Sequence, residues 1–128
     1  LQNTNFVGYV SHRKAIEYQN TAQVLLLLIP NVKNNKGILT GKLFEYLKAK
    51  RPILAMGPED GDLAAILQET NSGMIVNFDA EEKLKLQLLE MYEKFKEKKL
   101  TINSVHIEKY HRKELTKKLA FILKRLNS

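Results

Sequence analysis

Apolar residues in this chain gather in short bursts, and amphipathic stretches separate the bursts. Gln23–Ile29 is an almost unbroken apolar segment closed by Pro30, Pro52–Met56 is a second, and Met74–Val76 is a third. Short apolar runs bounded by turn residues read as strands buried on both faces, as in a parallel sheet with helices on either side. Phe6–Val10 is a further β-prone run. Between and after these segments the period changes to that of a helix. Ser11 is placed to N-cap a helix reaching about Asn20. Gly37 to about Lys50 reads as one helix with Leu43, Tyr46 and Leu47 on a stripe. Leu63, Ile66 and Leu67 mark the next, which ends at Ser72-Gly73. Asp79 is placed to cap a long helix with a core stripe of Leu84, Leu88, Tyr92 and Phe95. A terminal helix carries Leu115, Leu119, Ile122 and Leu126 on one face.

Strands alternating with helices predict an α/β fold with a parallel, Rossmann-like sheet of four strands flanked by helices. Right-handed crossovers gather the carboxyl ends of parallel strands at one edge, where ligands bind. The loops after Val10, Ile29 and Met56 are therefore expected to line one rim. Asp60 and Asp62, in the last of these loops, read as helix caps rather than catalytic acids.

The 128 residues suit one domain, 1–128, and its 44% apolar content suits a packed core. The net charge of +7 and pI of 9.6 raise nucleic acid as a partner. The lysines, however, fall mostly on helices where acids interleave, and no aromatic-interleaved basic motif accompanies them, so nucleic acid is not expected. The basic C-terminal helices instead suit peripheral contact with an anionic bilayer. The chain has no cysteine, and its longest apolar run is far below the ~20 residues of a membrane span. His12, His106 and His111 are scattered without ligand spacing, so no metal and no cofactor is expected. The chain begins Leu1-Gln2-Asn3 and is read as a piece of a longer protein.

The chemistry concentrates in Leu39-Thr40-Gly41-Lys42-Leu43-Phe44-Glu45-Tyr46. A loop of small residues turning into a helix offers backbone N–H groups and a positive dipole end to phosphates. Glycine at 41 permits close approach. A carboxylate one turn further in accepts from paired sugar hydroxyls, and such charge-assisted bonds are strong. Lys42 either offsets phosphate charge or pairs with Glu45. The plainer reading of Glu45 is a surface ion pair with Lys42 or Lys48. Tyr9 reads equally as core packing or as part of a binding wall.

Phe6-Val7-Gly8-Tyr9-Val10-Ser11-His12, Ala22–Leu26, Gly37–Leu47, Ala49–Leu54 and Lys109-Tyr110-His111-Arg112-Lys113, taken in order, resemble motifs of one family. It is the donor-binding, C-terminal domain of GT-B glycosyltransferases, specifically the retaining group 1 (family 4) class. The resemblance implies a GT-B C-terminal half-domain that lacks the first strand–helix units, and binding of a nucleotide-diphosphate sugar. It places the base against Tyr9, Val10, Ser11 and His12, the diphosphate at Leu39, Thr40 and Gly41 with Lys42 nearby, and the ribose on Glu45. It also implies cell-surface polysaccharide synthesis in the bacterial cytoplasm, at the inner membrane face, with an acceptor domain and catalytic residues outside this chain. Three positions depart from the family pattern. Gly37 stands where many members carry a sugar-facing glutamate, Gln23 where an aspartate is usual, and Lys50 where a glycine is usual.

Rival readings are a sugar-nucleotide epimerase of related architecture, whose histidine and acid constellation is not evident, and a non-catalytic α/β binding or scaffold module, favoured by Gly37. A signalling receiver needs an aspartate after its central strand, where this chain has Pro30-Asn31. If the first units are missing, Phe6–Val10 is expected either to pair beside Val24–Ile29 or to leave an open sheet edge that promotes self-association. The purified chain alone is expected to show no sugar transfer. Turnover in a donor-hydrolysis or transfer assay would overturn that expectation.

Overall fold

The computed structural model describes residues 2–127, with the side chains of 112–115 and 118 left outside that description. The order of elements is α1 (His12–Thr21), β1 (Leu25–Leu28), α2 (Lys42–Ala49), β2 (Ile53–Met56), α3 (Asp62–Thr70), β3 (Gly73–Val76), α4 (Glu81–Lys96) and α5 (Arg112–Leu126). Short 3-10 turns lie at Asn35–Gly37 and Ile107–Tyr110. The architecture is α/β, with an open, all-parallel sheet in the order β1-β2-β3. Leu25 pairs with Ile53, and Ile53 with Gly73, so the three strands start level.

Leu54 and Val76 are buried on the far face of this sheet, and the main core cluster sits on the near one. Leu25, Leu27, Ile29, Ile53 and Ala55 meet Leu43 and Leu47 of α2 and Leu63, Ile66 and Leu67 of α3. Both helices fall on that face because two successive crossovers of the same hand place them there. The segment after α4 returns to close the core: the Val105 N–H donates to the Thr70 carbonyl (2.8 Å), and Ile107 is buried in the cluster.

The expectation of burial on both faces holds for β2, whose far-face Leu54 is 2% exposed, and fails for the edge strand β1. Its residues alternate, and Leu26 and Leu28 on the far face stay 54% and 55% exposed. Phe6–Val10 forms no strand, so the described sheet has three strands rather than four. Its apolar side chains are exposed, and Gly8 at φ +78° interrupts the extended backbone. The expected pairing beside β1 is thus not formed.

Other boundaries also move. The helix expected from Gly37 begins only at Lys42, because the Ile38 N–H closes a 3-10 turn on Asn35 (3.1 Å) and the chain then extends. Ser11 caps α1 as expected, its hydroxyl accepting from the Lys14 N–H at 3.2 Å. Asp79 does not cap α4, whose N-cap is Ala80, and Asp60 and Asp62 do not cap α3, whose N-cap is Gly61. The α4 stripe is not core: Leu88, Tyr92 and Phe95 are exposed. On α5, Leu119, Ile122 and Leu126 are likewise exposed, and Leu115 lies outside the described side chains.

Two positions carry backbone constraints. A Cβ on Gly73 would lie 1.9 Å from the Ile53 carbonyl oxygen, so only glycine lets β3 start against β2. Lys50 ends α2 in the left-handed region (φ 54°, ψ 42°), where glycine is the usual occupant. A side chain there costs about 1 kcal/mol. Lys50→Gly should therefore stabilise the chain by about that amount, read as a higher urea midpoint with an unchanged slope.

Candidate functional site

The buried stripe of α2 decides what its other face presents. Leu43 and Leu47 are turned into the core, and helical spacing sends Gly41, Phe44, Glu45 and Lys48 to the opposite side. There they meet His12, Ile16 and Asn20 of α1, and Tyr110 closes one flank. The result is an open cleft of about 770 Å³. The two helices run the same way: His12 lies near Glu45 at one end, and the Arg51 Nε–H donates to the Asn20 carbonyl (2.9 Å) at the other.

Glu45 stands in this cleft with its side chain 34% exposed. One carboxylate oxygen accepts from Gln19 Nε2 at 3.0 Å, and the other lies 3.8 Å from His12 Nδ1. The expected pairing with Lys42 or Lys48 is not formed. Instead, Gln19 orients the carboxylate and leaves lone pairs toward the opening.

The start of α2 borders the same cleft. The Leu43 N–H donates to the Thr40 carbonyl (3.1 Å), and among the described residues no acceptor is bonded to the amides of Gly41 or Lys42. A Cβ placed on Gly41 meets nothing within 4 Å, so the space beside its Cα is open. Thr40 Oγ1 and Gln19 Oε1 are buried without a hydrogen-bond partner. Buried polar atoms normally have one, so both mark places where the chain leaves bonding capacity unused.

The remaining residues singled out from sequence are distributed unevenly. Ser11 is occupied as the cap of α1. Tyr9 and Val10 are exposed on the segment before it and do not line the cleft. Leu39 is exposed beside the cleft, and Lys42 is exposed at the first position of α2. Gly37 ends its 3-10 turn facing the next loop, where a Cβ would come 3.7 Å from the Asp62 carboxylate. The loops after β1 and β2 do meet at one rim, joined by Lys36 and Asp60 at 2.6 Å. The segment after Val10 leads instead to His12, which lies against Glu45 of α2. Sequence reasoning missed Ile16, Gln19, Asn20 and Phe44 as neighbours of Glu45, and it named Lys48 only as an ion-pair partner. The three- and four-residue spacings within Ile16/Gln19/Asn20 and Phe44/Lys48 were the available signal.

Tyr110 reaches the cleft by a separate device. Its hydroxyl and the Lys109 ammonium both donate to the Glu69 carboxylate on α3. The Lys109 bond first, then the Tyr110 bond, hold the Glu69 carboxyl below the usual carboxylate range. The Glu69 bond first, then partial burial, push the Tyr110 phenol up to about 12. For Glu69 the lowered value contributes stability above the ordinary carboxyl pKa, lost as pH falls through the lowered one. For Tyr110 the raised value contributes below 10.0, lost as pH rises toward about 12. Glu69→Gln should return the Tyr110 ionisation toward 10.0, read as the component of an ultraviolet alkaline titration that Tyr110→Phe abolishes.

Comparison of the chain with protein-family models, with curated proteins and with solved structures finds no match in any of the three, and the site is read from its own residues.

Proposed function

We propose that this chain is the donor-binding part of a retaining glycosyltransferase of the GT-B class and that its α1/α2 cleft takes a nucleotide-diphosphate sugar. The observation that carries this reading is the Glu45 carboxylate, held by Gln19 in an open cleft one turn inside a helix whose first amides have no acceptor. The four residues from Gly41 to Glu45 rise about 6 Å along the axis, the scale that separates a ribose diol from its own diphosphate. Glu45 then accepts from the diol, and the Gly41 and Lys42 amides donate to the diphosphate. His12 and Asn20 supply polar edges within the same cleft.

As the bond from the sugar's anomeric carbon to the diphosphate oxygen breaks, negative charge accumulates on the leaving diphosphate. Fixed amides, the positive end of α2 and the Lys42 ammonium at its first position stabilise that charge. The acceptor site and the groups that complete transfer belong, in this reading, to a partner domain of the same protein. Cell-surface polysaccharide assembly at the inner membrane face is the matching biological setting. A second reading, a non-catalytic binding or scaffold module, is favoured by one observation: residue 37 carries no carboxylate, and Asp62 is the acid nearest that turn.

Calorimetric titration with nucleoside diphosphates separates the two. Saturable binding is expected, weakened about 10- to 100-fold by Glu45→Ala, the worth of a charge-assisted bond. Gly41→Ala is the companion variant. The φ of −60° suits alanine and no protein atom opposes the methyl, so the fold is retained while the added carbon occupies the diphosphate's approach. Binding insensitive to both variants would overturn the site, and absence of binding would favour the scaffold.

A further inference from the structure

The chain's net charge is distributed unevenly, and the excess lies on one helix. α5 holds six basic residues and one acid, so five of the seven net positive charges reside within Arg112–Leu126. Leu119, Ile122, Leu123 and Leu126 follow one another at spacings of three, one and three, which puts them on a single stripe. That stripe is exposed at 58%, 53%, 52% and 76%. By the same periodicity Lys117 and Lys124 fall on the opposite side of the helix, with exposed Phe121 between them and Arg125, and Arg125 borders the stripe next to Ile122.

α4 serves as an internal control. It also exposes an apolar stripe, through Leu88, Tyr92 and Phe95, yet its four glutamates and four lysines balance. Its charges are partly consumed in pairs along the helix, such as Lys94 with Glu90 at 2.9 Å and Lys96 with Glu93 at 3.0 Å. Apolar exposure is therefore common to both helices, and the cationic face belongs to α5 alone.

A partner that complements α5 must take an apolar stripe and bring dense negative charge to the cations around the rest of the helix. We propose that α5 is an interfacial helix that docks on an anionic lipid bilayer, its leucine and isoleucine stripe entering the acyl boundary and its lysines and arginines meeting the headgroups. Basic residues flanking an exposed apolar face are the signature of helices lying in the plane of a membrane surface. Attraction of each cation to an anionic leaflet adds to the apolar term and decays within a Debye length, so the binding is salt-dependent. The helix lies flat: among the described residues no helix is long and apolar enough to cross a membrane. This docking is independent of what occupies the α1/α2 cleft.

Co-sedimentation of the full chain with vesicles tests the proposal. The chain should bind vesicles rich in phosphatidylglycerol, should not bind pure phosphatidylcholine vesicles, and should be released by salt. Leu119→Glu combined with Ile122→Glu should reduce binding at least about 10-fold, since each places a charge at the acyl boundary. Lys124→Glu with Arg125→Glu should do the same by charge alone and leaves the stripe in place. No binding to anionic vesicles, or binding that survives both double variants, would overturn the proposal. So would a dimer in size-exclusion chromatography that the Leu119/Ile122 variant converts to monomer, because a second copy would then be the stripe's occupant.

Discussion

Burial of Leu43 and Leu47 against the parallel sheet is the contact on which the rest of this structure turns. These side chains sit in the core made by Leu25, Leu27, Ile29, Ile53 and Ala55, and they fix the rotation of α2 about its own axis. With a helix of eight residues there is little room for adjustment. Once that stripe is committed inward, Gly41, Glu45 and Lys48 have one direction left, which is toward α1. The cleft is a by-product of the core: the same hydrophobic term that folds the domain aims the carboxylate and the free amides at one opening.

The neighbouring elements refine this arrangement more than they create it. α1 buries no residue fully, yet it supplies Gln19 and His12 to the two oxygens of Glu45. The bond from Arg51 to the Asn20 carbonyl holds its far end. From the other side, the Glu69 carboxylate gathers Lys109 and Tyr110 and keeps the returning segment over the core, so that a residue distant in the sequence lines the cleft.

The uncovered apolar surface has a common physical origin. A sheet in the order β1-β2-β3 with two right-handed crossovers receives α2 and α3 on one side; on the other, Leu54 and Val76 are buried while Leu26 and Leu28 of the edge strand remain exposed. α4 and α5 carry stripes that the sheet does not take up. Hydrophobicity alone does not distinguish these surfaces. Charge does, because α4 is balanced within itself and α5 is strongly cationic.

Much of this was legible along the chain, and the reason is locality. The alternation of apolar bursts with helical stripes follows from backbone periodicity, so the α/β class, the parallel sheet and the order of its elements could be read directly. So could the loop-to-helix transition around Thr40 and Gly41, which the structure forms at Lys42. What could not be read were properties that depend on residues far apart. Whether Leu26 and Leu28 are covered depends on which face the crossovers choose, and whether Phe6–Val10 becomes a strand depends on an edge to accept it. Glu45 met Gln19 and His12, not the lysines near it on its own helix, because packing of α1 on α2 outweighs a weak exposed ion pair. Spacing within a segment is encoded in that segment; proximity between segments emerges from burying all of them at once.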